Sequence, residues 1–307
     1  MTDVLLVEDV WADTFDERFR GLTVRRSPGA GRADLVTDTR ALIVRNRTAV
    51  DGDLLAAAPR LEVIGRFGVG LDNIDVAAAD ARGVVVVAPL GANATSVAEH
   101  TVALALALSR DLTRHDAAVR AGGWQRLPGR ELAGRTWGLL GAGATGQAVG
   151  RLGAALRMPV IAHDPYLEVS GLDMVDFGTL LASADVLSVH VPLTAQTRGM
   201  LDAAAFARMR PGALLISVGR GEVVAEEALA DALLAGRLGG AGLDVRAIEP
   251  PRPGPLDDAP NVIFTPHVAG ITLESQARIA AILAEDIAAV LGGGIASHAV
   301  GAHRSAR

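Results

Sequence analysis

Three side chains that lie far apart in the sequence, Arg220, Glu249 and His267, are of the types that hydride transfer on a small acid requires. A planar guanidinium grips a carboxylate through two parallel hydrogen bonds. An imidazole changes its protonation near neutral pH and moves a proton, and a carboxylate beside it can orient the ring. Each of the three follows a short apolar run, and open α/β sheets bind ligands beyond the carboxyl ends of their strands. The pattern therefore indicates an oxidoreductase, provided that a hydride-carrying cofactor binds nearby.

Each of these residues also has a purely structural interpretation. Arg220 could be an ordinary surface arginine, the commoner position for one of 29 basic residues, although the glycines on both sides of it argue against this. Glu249 could be a solvated loop carboxylate, and the local sequence favours neither interpretation. His267 could be a satisfied structural histidine, as most of the seven histidines must be. His190, in VLSVHVPL, also follows a predicted strand and is the second candidate for the proton carrier.

The segment GLLGAGATGQAVG contains the pattern Gly-x-Gly-x-x-Gly at Gly141, Gly143 and Gly146. A predicted strand precedes it, a predicted helix follows it, and Asp164 ends the next strand 18 residues after Gly146 (164 − 146). In such a unit the first glycine allows a tight turn, the second lets the backbone approach a pyrophosphate, and the third lets the helix pack on the strand. The acid accepts from ribose hydroxyls and repels a 2′-phosphate. The motif therefore predicts NAD rather than NADP, and the alternative is a glycine-rich turn without a ligand.

The composition of the 307-residue chain removes several other chemistries. It contains no cysteine, which excludes disulfides, thiolate nucleophiles and zinc–cysteine sites, and all 29 basic residues are arginine, which excludes lysine Schiff bases. The net charge of −6 and the scattered arginines argue against nucleic-acid binding. The acidic N-terminus is unlike a signal peptide and no apolar run reaches about eighteen residues, so a cytoplasmic protein with no membrane partner is expected. No histidine–carboxylate ligand spacing appears, so no metal site is predicted and a metal-dependent hydrolase is disfavoured.

Short β-branched apolar runs alternate with helical stretches along the chain, a pattern typical of parallel sheets with helices on both faces. About ten such runs in 307 residues predict two doubly wound sheets rather than one. A long helix over 96–121, opened by Ser96 and Glu99 as a capping box, is predicted to carry the chain between the two domains. A last helix is predicted over 272–291, and the tail after it is expected to fray. The predicted strands cover 4–9, 41–45, 61–66, 84–89, 136–141, 159–164, 184–192, 212–219, 240–245 and 261–267.

A series of motifs runs from about residue 41 to 290: LIVR, GRFGVGLDNID, ATSVAEHTVAL, GLLGAGATGQAVG, HDPY, ADVLSVHVPLT, GRGEVV, GLDV, EPP and TPHVAG. In these motifs and in their order the chain resembles the D-isomer-specific 2-hydroxyacid dehydrogenases, the family of 3-phosphoglycerate, D-lactate and formate dehydrogenases and of glyoxylate/hydroxypyruvate reductases. The resemblance implies two Rossmann-like α/β domains, each a doubly wound parallel sheet, with the active-site cleft between them. It assigns 1–94 and 272–307 to a substrate-binding domain and 95–271 to an NAD-binding domain. It also implies a homodimer formed through the NAD-binding domain.

The resemblance implies a role for each candidate residue. Arg220 clamps the substrate carboxylate, Glu249 orients and polarises His267, and His267 moves the proton. Further substrate contacts are implied for the backbone N–H groups of Val69 and Gly70, and for Arg45 at a phosphate-contacting position. The implied cofactor contacts are Gly141, Gly143, Ala144, Thr145, Gly146, Asp164, Val191, Pro192, Thr197, Val218, Gly219, Arg220, Asp244, His267 and Gly270.

The function expected from these residues is NAD-dependent interconversion of a small, anionic D-2-hydroxy acid and its 2-keto acid, with His267 as the acid and base. One alternative is a related dehydrogenase of another small anion, of the formate or phosphite type. Another is an NAD-sensing interaction protein, similar to the corepressors of the same family. Arg45 and Arg246 could add positive charge near the cleft, and the sequence leaves the identity of the substrate open.

Overall fold

The computed structural model describes residues 2–6, 15–19, 21–26 and 37–303. The chain divides into two compact units, which we call unit 1 (1–93 and 271–307) and unit 2 (94–270). These divisions lie one residue from the predicted boundaries after residues 94 and 271. The assignment of substrate binding to unit 1 and of NAD binding to unit 2 stays a prediction.

The elements follow the alternation that the sequence pattern predicts. The strands are β1 (Thr2–Leu6), β2 (Val24–Arg26), β3 (Thr39–Val44), β4 (Val63–Arg66), β5 (Val85–Val87), β6 (Trp137–Leu140), β7 (Val160–His163), β8 (Asp173–Met174), β9 (Val186–Val189), β10 (Leu214–Ser217), β11 (Gly240–Leu243), β12 (Val262–Phe264) and β13 (Ala299–Val300). The α-helices are α1 (Phe15–Arg18), α2 (Gly52–Ala57), α3 (Val76–Asp80), α4 (Ala94–Ser109), α5 (Leu112–Arg120), α6 (Ala144–Ala155), α7 (Phe177–Ser183), α8 (Ala203–Arg208), α9 (Glu226–Leu234) and α10 (Leu273–Leu291). Short 3-10 helices cover Gly221–Val223, Pro255–Asp258 and Gly301–His303.

Unit 1 contains a six-stranded sheet in the order β2-β1-β3-β4-β5-β13, in which β13 runs antiparallel to β5 and the other neighbours are parallel. The strands read as continuous apolar runs, such as ALIV in β3, because both faces of the sheet are covered. On one face, α10 contributes Ile279, Leu283 and Ile287 to the core. On the other face, α2 contributes Leu54 and Leu55 to a second buried cluster.

Unit 2 contains a seven-stranded parallel sheet in the order β8-β7-β6-β9-β10-β11-β12. Helices α4 and α6 pack on one face around Trp137, whose indole nitrogen donates to Ser188 Oγ at 2.8 Å, and α7, α8 and α9 pack on the other face around Phe206. The strand order reverses between β6 and β9, and sheets of this kind bind ligands beyond the strand ends at such a reversal. The predicted α/β class with two doubly wound, mainly parallel sheets is confirmed.

The predicted helix over 96–121 is wrong in two respects. It forms two helices rather than one, since the chain turns at Asp111 with a left-handed φ of +49°. Helix α4 already begins at Ala94, so Ser96 is a buried residue inside the helix and does not cap it. The predicted capping box is therefore absent from this helix end.

The expectation that the tail frays is wrong for the residues that the structure describes after α10. Two of them form β13, and the carboxylate of Asp286 on α10 fixes the approach to that strand. Asp286 accepts from the backbone N–H groups of Ser297 and His298 at 2.8 and 2.9 Å and from the ring Nδ1 of His298 at 2.9 Å. The strands β2, β8 and β13 have two or three residues each, too few for a periodic pattern to predict them.

Candidate active site

The glycine-rich turn lies at the strand reversal of unit 2, between β6 and α6. Gly141 adopts φ +101°, and a Cβ on it would lie 2.9 Å from the carbonyl carbon of His190. A Cβ on Gly146 would overlap the carbonyl oxygen of Gly141 and lie 3.1 Å from its carbon. A Cβ on Gly143, in contrast, would meet no atom within 4 Å. The backbone at Gly143 is thus open on the side that a ligand would approach, while the other two glycines are required by the packing of the turn.

The first turn of α6 suits an anion. Gly143 is the N-cap of this 12-residue helix, and no side-chain hydrogen bond caps it. Ala144, Thr145 and Gly146 follow as its first three residues, and the N–H groups of a first helical turn have no partner inside the helix. Such N–H groups and the helix dipole together favour a phosphate or another anion. The open backbone and the uncapped helix therefore fit the pyrophosphate of a dinucleotide.

Asp164 lies directly after β7 and contacts the glycine turn. Its Oδ2 accepts from the N–H of Ala142 at 3.0 Å, and its Oδ1 accepts from the N–H groups of Tyr166 and Leu167 at 3.0 and 3.2 Å. Each carboxylate oxygen can accept about two hydrogen bonds, so Oδ2 keeps capacity for a ligand while Oδ1 is committed to the backbone. Three backbone donors hold this carboxylate beside the glycine turn, and its contact with a ribose stays a prediction.

The ends of β9 and β10 carry the next group of predicted cofactor residues. Thr197 Oγ1 donates to the carbonyl of Pro192 at 2.7 Å, which closes the loop after β9. A Cβ on Gly219 would lie 3.2 Å from the carbonyl oxygen of Val191, so the segment after β10 packs against that loop. Val218 is buried beside them. Gly270, also predicted to contact the cofactor, is the last residue of unit 2.

His190 does not have the surroundings of a proton carrier. Its Nε2 lies 2.8 Å from Ser188 Oγ, and its Nδ1 is inaccessible and has no hydrogen-bond partner among the described residues. Burial lowers the pKa of His190 to about 3. The ring therefore stays neutral at ordinary pH, and its backbone instead packs against Gly141.

His267 and Glu249 form the pair that sequence reasoning predicted. His267 Nδ1 lies 2.8 Å from Glu249 Oε2, and the two side chains are 31% and 32% exposed. An ionised carboxylate only accepts hydrogen bonds, so Nδ1 carries the proton of this bond and Nε2 is the nitrogen left to exchange a proton with a substrate. His267 adopts φ +56°, a conformation that is uncommon for residues other than glycine and is often found at active sites.

The charge of Glu249 is stabilised by its neighbours. Burial raises its pKa, but the hydrogen bond and charge of His267, the N–H of Arg246 and the charge of Arg220 outweigh burial and hold the pKa of Glu249 below its ordinary value. The N–H of Arg246 donates to Glu249 Oε1 at 3.2 Å. Glu249 is therefore ionised at neutral pH.

Arg220 follows β10 and lies within electrostatic range of Glu249. Its Nη1 donates to the carbonyl of Gly219 at 2.9 Å. A Cβ on the next residue, Gly221, would overlap the backbone of Arg246, so the loops after β10 and β11 are in direct contact. The loops after β10, β11 and β12 thus carry Arg220, Glu249 and His267, and all three residues belong to unit 2.

Asp244, predicted to line the nicotinamide, anchors the segment that carries His267. It is 1% exposed, and its Oδ1 accepts from Thr265 Oγ1 at 2.5 Å and from the N–H of Val268 at 2.9 Å. Its Oδ2 accepts from the N–H of Ala269 at 2.8 Å, and its carbonyl accepts from the N–H of His267 at 2.8 Å. Sequence reasoning did not single out Thr265, because a threonine in a loop carries no signal of its own.

The positive charge of Arg246 is already paired. Its guanidinium forms two hydrogen bonds to Glu226, at 3.0 and 2.9 Å, and lies 5.0 Å from the ring centroid of Phe264. The side chain is 10% exposed. Arg246 therefore holds the loop after β11 to α9 rather than presenting an unpaired cation to a ligand.

In unit 1, the predicted substrate residues follow the neighbouring strands β3 and β4. Arg45 comes directly after β3, and its guanidinium lies 6.0 Å from the ring centroid of Phe67. The side-chain amide of Asn73 donates to the carbonyls of Arg45 and Thr48, at 2.8 and 2.6 Å, and so joins the loops after the two strands.

The loop with Val69 and Gly70 is held by a residue that sequence reasoning missed. Arg66, the last residue of β4, is 6% exposed and donates through Nε to the carbonyl of Gly70 at 2.6 Å. Its Nη1 donates to the carbonyl of Phe67 at 3.0 Å. Both bonds use carbonyl oxygens of the loop as acceptors. Arg66 therefore holds the loop without using any of its backbone N–H groups.

Two further findings concern the described residues only. They contain no group of three or more histidine, aspartate or glutamate side chains arranged to hold a metal ion. Among them, no helix combines the length and the apolar character that crossing a membrane demands.

Comparison with known proteins gives matches over most of the chain. Residues 102–269 match the family model described as "D-isomer specific 2-hydroxyacid dehydrogenase, NAD binding domain". The chain is 42% identical over 296 residues to D-3-phosphoglycerate dehydrogenase of Archaeoglobus fulgidus. This match covers 92% of this chain and 56% of that protein. The chain is also 38% identical over 265 residues to hydroxypyruvate reductase of Thermotoga maritima. That match covers 84% of this chain and 87% of the other protein. The solved structure of the TT0316 protein from Thermus thermophilus matches with a TM-score of 0.92 at 34% identity, and covers 98% of this chain and 100% of the other. The chain thus spans about half the length of the phosphoglycerate dehydrogenases that it matches.

Proposed function

Because the chain belongs to the D-isomer-specific 2-hydroxyacid dehydrogenase family, we propose that it interconverts a small D-2-hydroxy acid and its 2-keto acid with NAD as the hydride carrier. The observation that carries the proposal is the hydrogen bond of 2.8 Å between His267 Nδ1 and Glu249 Oε2 in the unit that also contains the open glycine turn. An imidazole oriented by a carboxylate is a proton carrier, and hydride transfer to a ketone needs one proton for each hydride.

In the reductive direction, the glycine turn and Asp164 would hold NADH, which would supply the hydride for the keto carbon. His267, protonated on both nitrogens, gives the Nε2 proton to the developing alkoxide, and the bond from Nδ1 to Glu249 keeps the ring oriented as its charge changes. Arg220 holds the substrate carboxylate and stabilises the charge that builds on the carbonyl oxygen. Oxidation of the hydroxy acid reverses each proton and charge movement.

The preference for NAD over NADP belongs to the same proposal. Asp164 keeps one acceptor site on Oδ2 for a ribose hydroxyl, and its charge repels a phosphate at that position. The substrate contacts of Arg45, Val69 and Gly70, and the choice among keto acids, stay predictions.

The proposal is tested by following NADH absorbance with a panel of 2-keto acids that includes glyoxylate, hydroxypyruvate, pyruvate and phosphorylated and sulfonated analogues. We expect at least one of them to be reduced, and the His267→Ala variant to turn over about 10²- to 10⁴-fold more slowly while it binds NADH like the wild type. The matched control is His303→Ala, which alters an exposed histidine of unit 1. Unchanged turnover in His267→Ala would refute the assignment. NADH binding without reduction of any keto acid would favour the corepressor-like alternative, or a dehydrogenase of formate or phosphite.

A homodimer is the partner that we propose, formed through unit 2. Helix α5 and the segment after it expose four large apolar side chains to solvent, an arrangement that a second copy could bury. Their exposed fractions are 54% at Leu112, 53% at Val119, 79% at Trp124 and 42% at Leu127. Light scattering should give the mass of a dimer, and the double variant Val119→Asp and Trp124→Asp should give that of a monomer. A monomeric wild type would contradict this part of the proposal. The cytoplasmic location stays a prediction.

A further inference from the structure

His100 lies in the second turn of α4 and contacts the segment that carries the proposed proton carrier. Its Nε2 lies 3.0 Å from Thr265 Oγ1 and 3.6 Å from Asp244 Oδ1. Thr265 Oγ1 in turn lies 2.5 Å from Asp244 Oδ1. The imidazole, the hydroxyl and the carboxylate thus form a continuous chain of polar contacts inside unit 2. Its middle member, Thr265, lies two residues before His267.

The direction of each hydrogen bond in this chain follows from the donors and acceptors present. Ionised Asp244 can only accept, so the single hydroxyl proton of Thr265 points to Asp244 Oδ1. The Thr265 oxygen is then an acceptor toward His100, and Nε2 of His100 carries the proton of that bond. His100 therefore donates to the oxygen of Thr265, and it places a second donor beside a carboxylate that is buried from water.

The carboxylate at the end of this chain controls the backbone conformation of His267. Asp244 accepts from the N–H groups of Val268 and Ala269, and its carbonyl accepts from the N–H of His267. These bonds hold His267 at φ +56°, a left-handed conformation that is unfavourable for a residue with a side chain. Such a conformation persists only where the surrounding contacts over-determine it.

We propose that His100 is a positioning residue for the reaction, and that it acts through Thr265 and Asp244 to keep the imidazole of His267 in its reactive orientation. This inference rests on the proposed function for its catalytic consequence. His100 belongs to α4, which carries neither the glycine turn nor the Glu249–His267 pair, and its ring nitrogen Nε2 contacts Thr265 in the segment that leads to His267. The alternative is a space-filling histidine whose hydrogen bond has no effect on His267.

The test uses two replacements of His100 that separate the donor from the ring. His100→Phe keeps a flat ring and removes the Nε2 donor, whereas the side-chain amide of His100→Gln can place a donor near the position of Nε2. We expect His100→Phe to lower kcat about tenfold, the effect of one lost hydrogen bond to a charged network, and His100→Gln to recover most of that loss. His303→Phe is the matched control, because that histidine is exposed and lies in unit 1.

A kinetic isotope effect separates positioning from a loss of folded protein. With NADH deuterated at the transferred position, a misplaced His267 slows the chemical step and raises the isotope effect on kcat, whereas a smaller folded fraction lowers kcat and leaves the isotope effect unchanged. Thr265→Val should show the same change, and the double variant with His100→Phe should be no worse than Thr265→Val alone, since the two act through one chain. An unchanged isotope effect, or additive losses, would overturn the inference.

Hydrogen exchange decides the structural part without any turnover. Peptides that contain the N–H groups of Val268 and Ala269 should exchange faster in His100→Phe than in the wild type or in His303→Phe, because the Asp244 acceptor becomes less ordered. Unchanged exchange would also overturn the inference. If the wild type reduces no keto acid, the proposed function fails, and the exchange measurement still shows whether His100 orders the loop of His267.

Discussion

A pair of glycine-to-alanine substitutions tests the dinucleotide site more directly than any change of a charged residue. Gly143 and Gly146 lie three residues apart at the start of α6, and each would gain a single methyl group. At Gly146 that methyl group overlaps the carbonyl oxygen of Gly141, whereas at Gly143 it meets no protein atom within 4 Å. Gly146→Ala therefore disturbs the fold, whereas Gly143→Ala disturbs only the binding of a ligand at the turn.

The expected magnitudes follow from these contacts. Because the neighbour of Gly146 is backbone, α6 must shift as a whole, and overpacking of this kind costs about 1–3 kcal/mol. For a domain of this size, about 2 kcal/mol corresponds to a loss of roughly 5 °C in Tm. Gly143 has φ −68° and ψ −170°, which any residue adopts, so Gly143→Ala should change the free energy of unfolding by less than about 1 kcal/mol. Its methyl group should nevertheless weaken NADH binding at least about tenfold, or about 1.4 kcal/mol, by blocking the approach of pyrophosphate.

Two measurements on the same samples check this: thermal unfolding without ligand, and NADH titration by fluorescence. Gly52→Ala is the matched control, because Gly52 also meets no atom within 4 Å but lies in unit 1. The control should keep both the wild-type Tm and the wild-type Kd. A Gly143→Ala protein that binds NADH with the wild-type Kd would refute the placement of pyrophosphate at this turn. A Gly146→Ala protein with unchanged Tm would refute the packing argument for the third glycine.

Three further substitutions probe charges and their partners. Glu249→Gln should make the free energy of unfolding less sensitive to acid. Because the pKa of Glu249 is lowered, its ionised form stabilises the folded protein at pH values above its ordinary pKa of 4.5. This stabilisation is lost as the pH falls through the lowered pKa. Urea unfolding at about pH 7 and about pH 3.5 should therefore differ less in the variant than in the wild type, and an equal difference would contradict the argument. Asp164→Ala should raise kcat/KM for NADPH relative to NADH at least about tenfold, measured by steady-state kinetics, since the charge that repels a 2′-phosphate is gone; an unchanged ratio would count against that role. Arg66→Met should raise KM for the keto acid about tenfold and leave KM for NADH unchanged, because the carbonyls of Phe67 and Gly70 lose their donor; an unchanged KM for the keto acid would contradict this role of Arg66.

The sequence alone was sufficient to predict those features that depend on a local pattern of residue types. The glycine turn, Asp164, and the residues that follow β10, β11 and β12 were predictable because strand ends, glycine spacing and residue type all point the same way. The break at Asp111 was not predictable, since a left-handed residue between two helices leaves the helical periodicity of both sides intact. Strand β13 was not predictable either, because it has only two residues and the segment before it is held by Asp286, a contact between positions eleven residues apart.

Residues that act through tertiary contacts carry no such pattern. In the sequence, Arg66 is one of 29 scattered arginines with nothing to distinguish it. Only the structure shows that its guanidinium donates a hydrogen bond to the carbonyl of Gly70. His100 reads as a polar residue on a helix, and its contact with Thr265 joins positions 165 residues apart. A single sequence gives the types of such residues but not their partners, and for a charged or titratable side chain the partner decides the role.

The two candidate proton carriers illustrate how far a partner decides a role. His190 and His267 are the same residue type in the same unit, and each closely follows a parallel strand, so position alone does not separate them. His190 faces a serine hydroxyl, and burial lowers its pKa to about 3, so it does not take up a proton at neutral pH. His267 faces Glu249, whose pKa is held low, so a negative charge remains beside the ring through the whole range in which an imidazole titrates. The carboxylate, more than the histidine, is therefore what distinguishes the proposed proton carrier from the buried, neutral histidine, and a search for proton carriers in related sheets should begin from the acid.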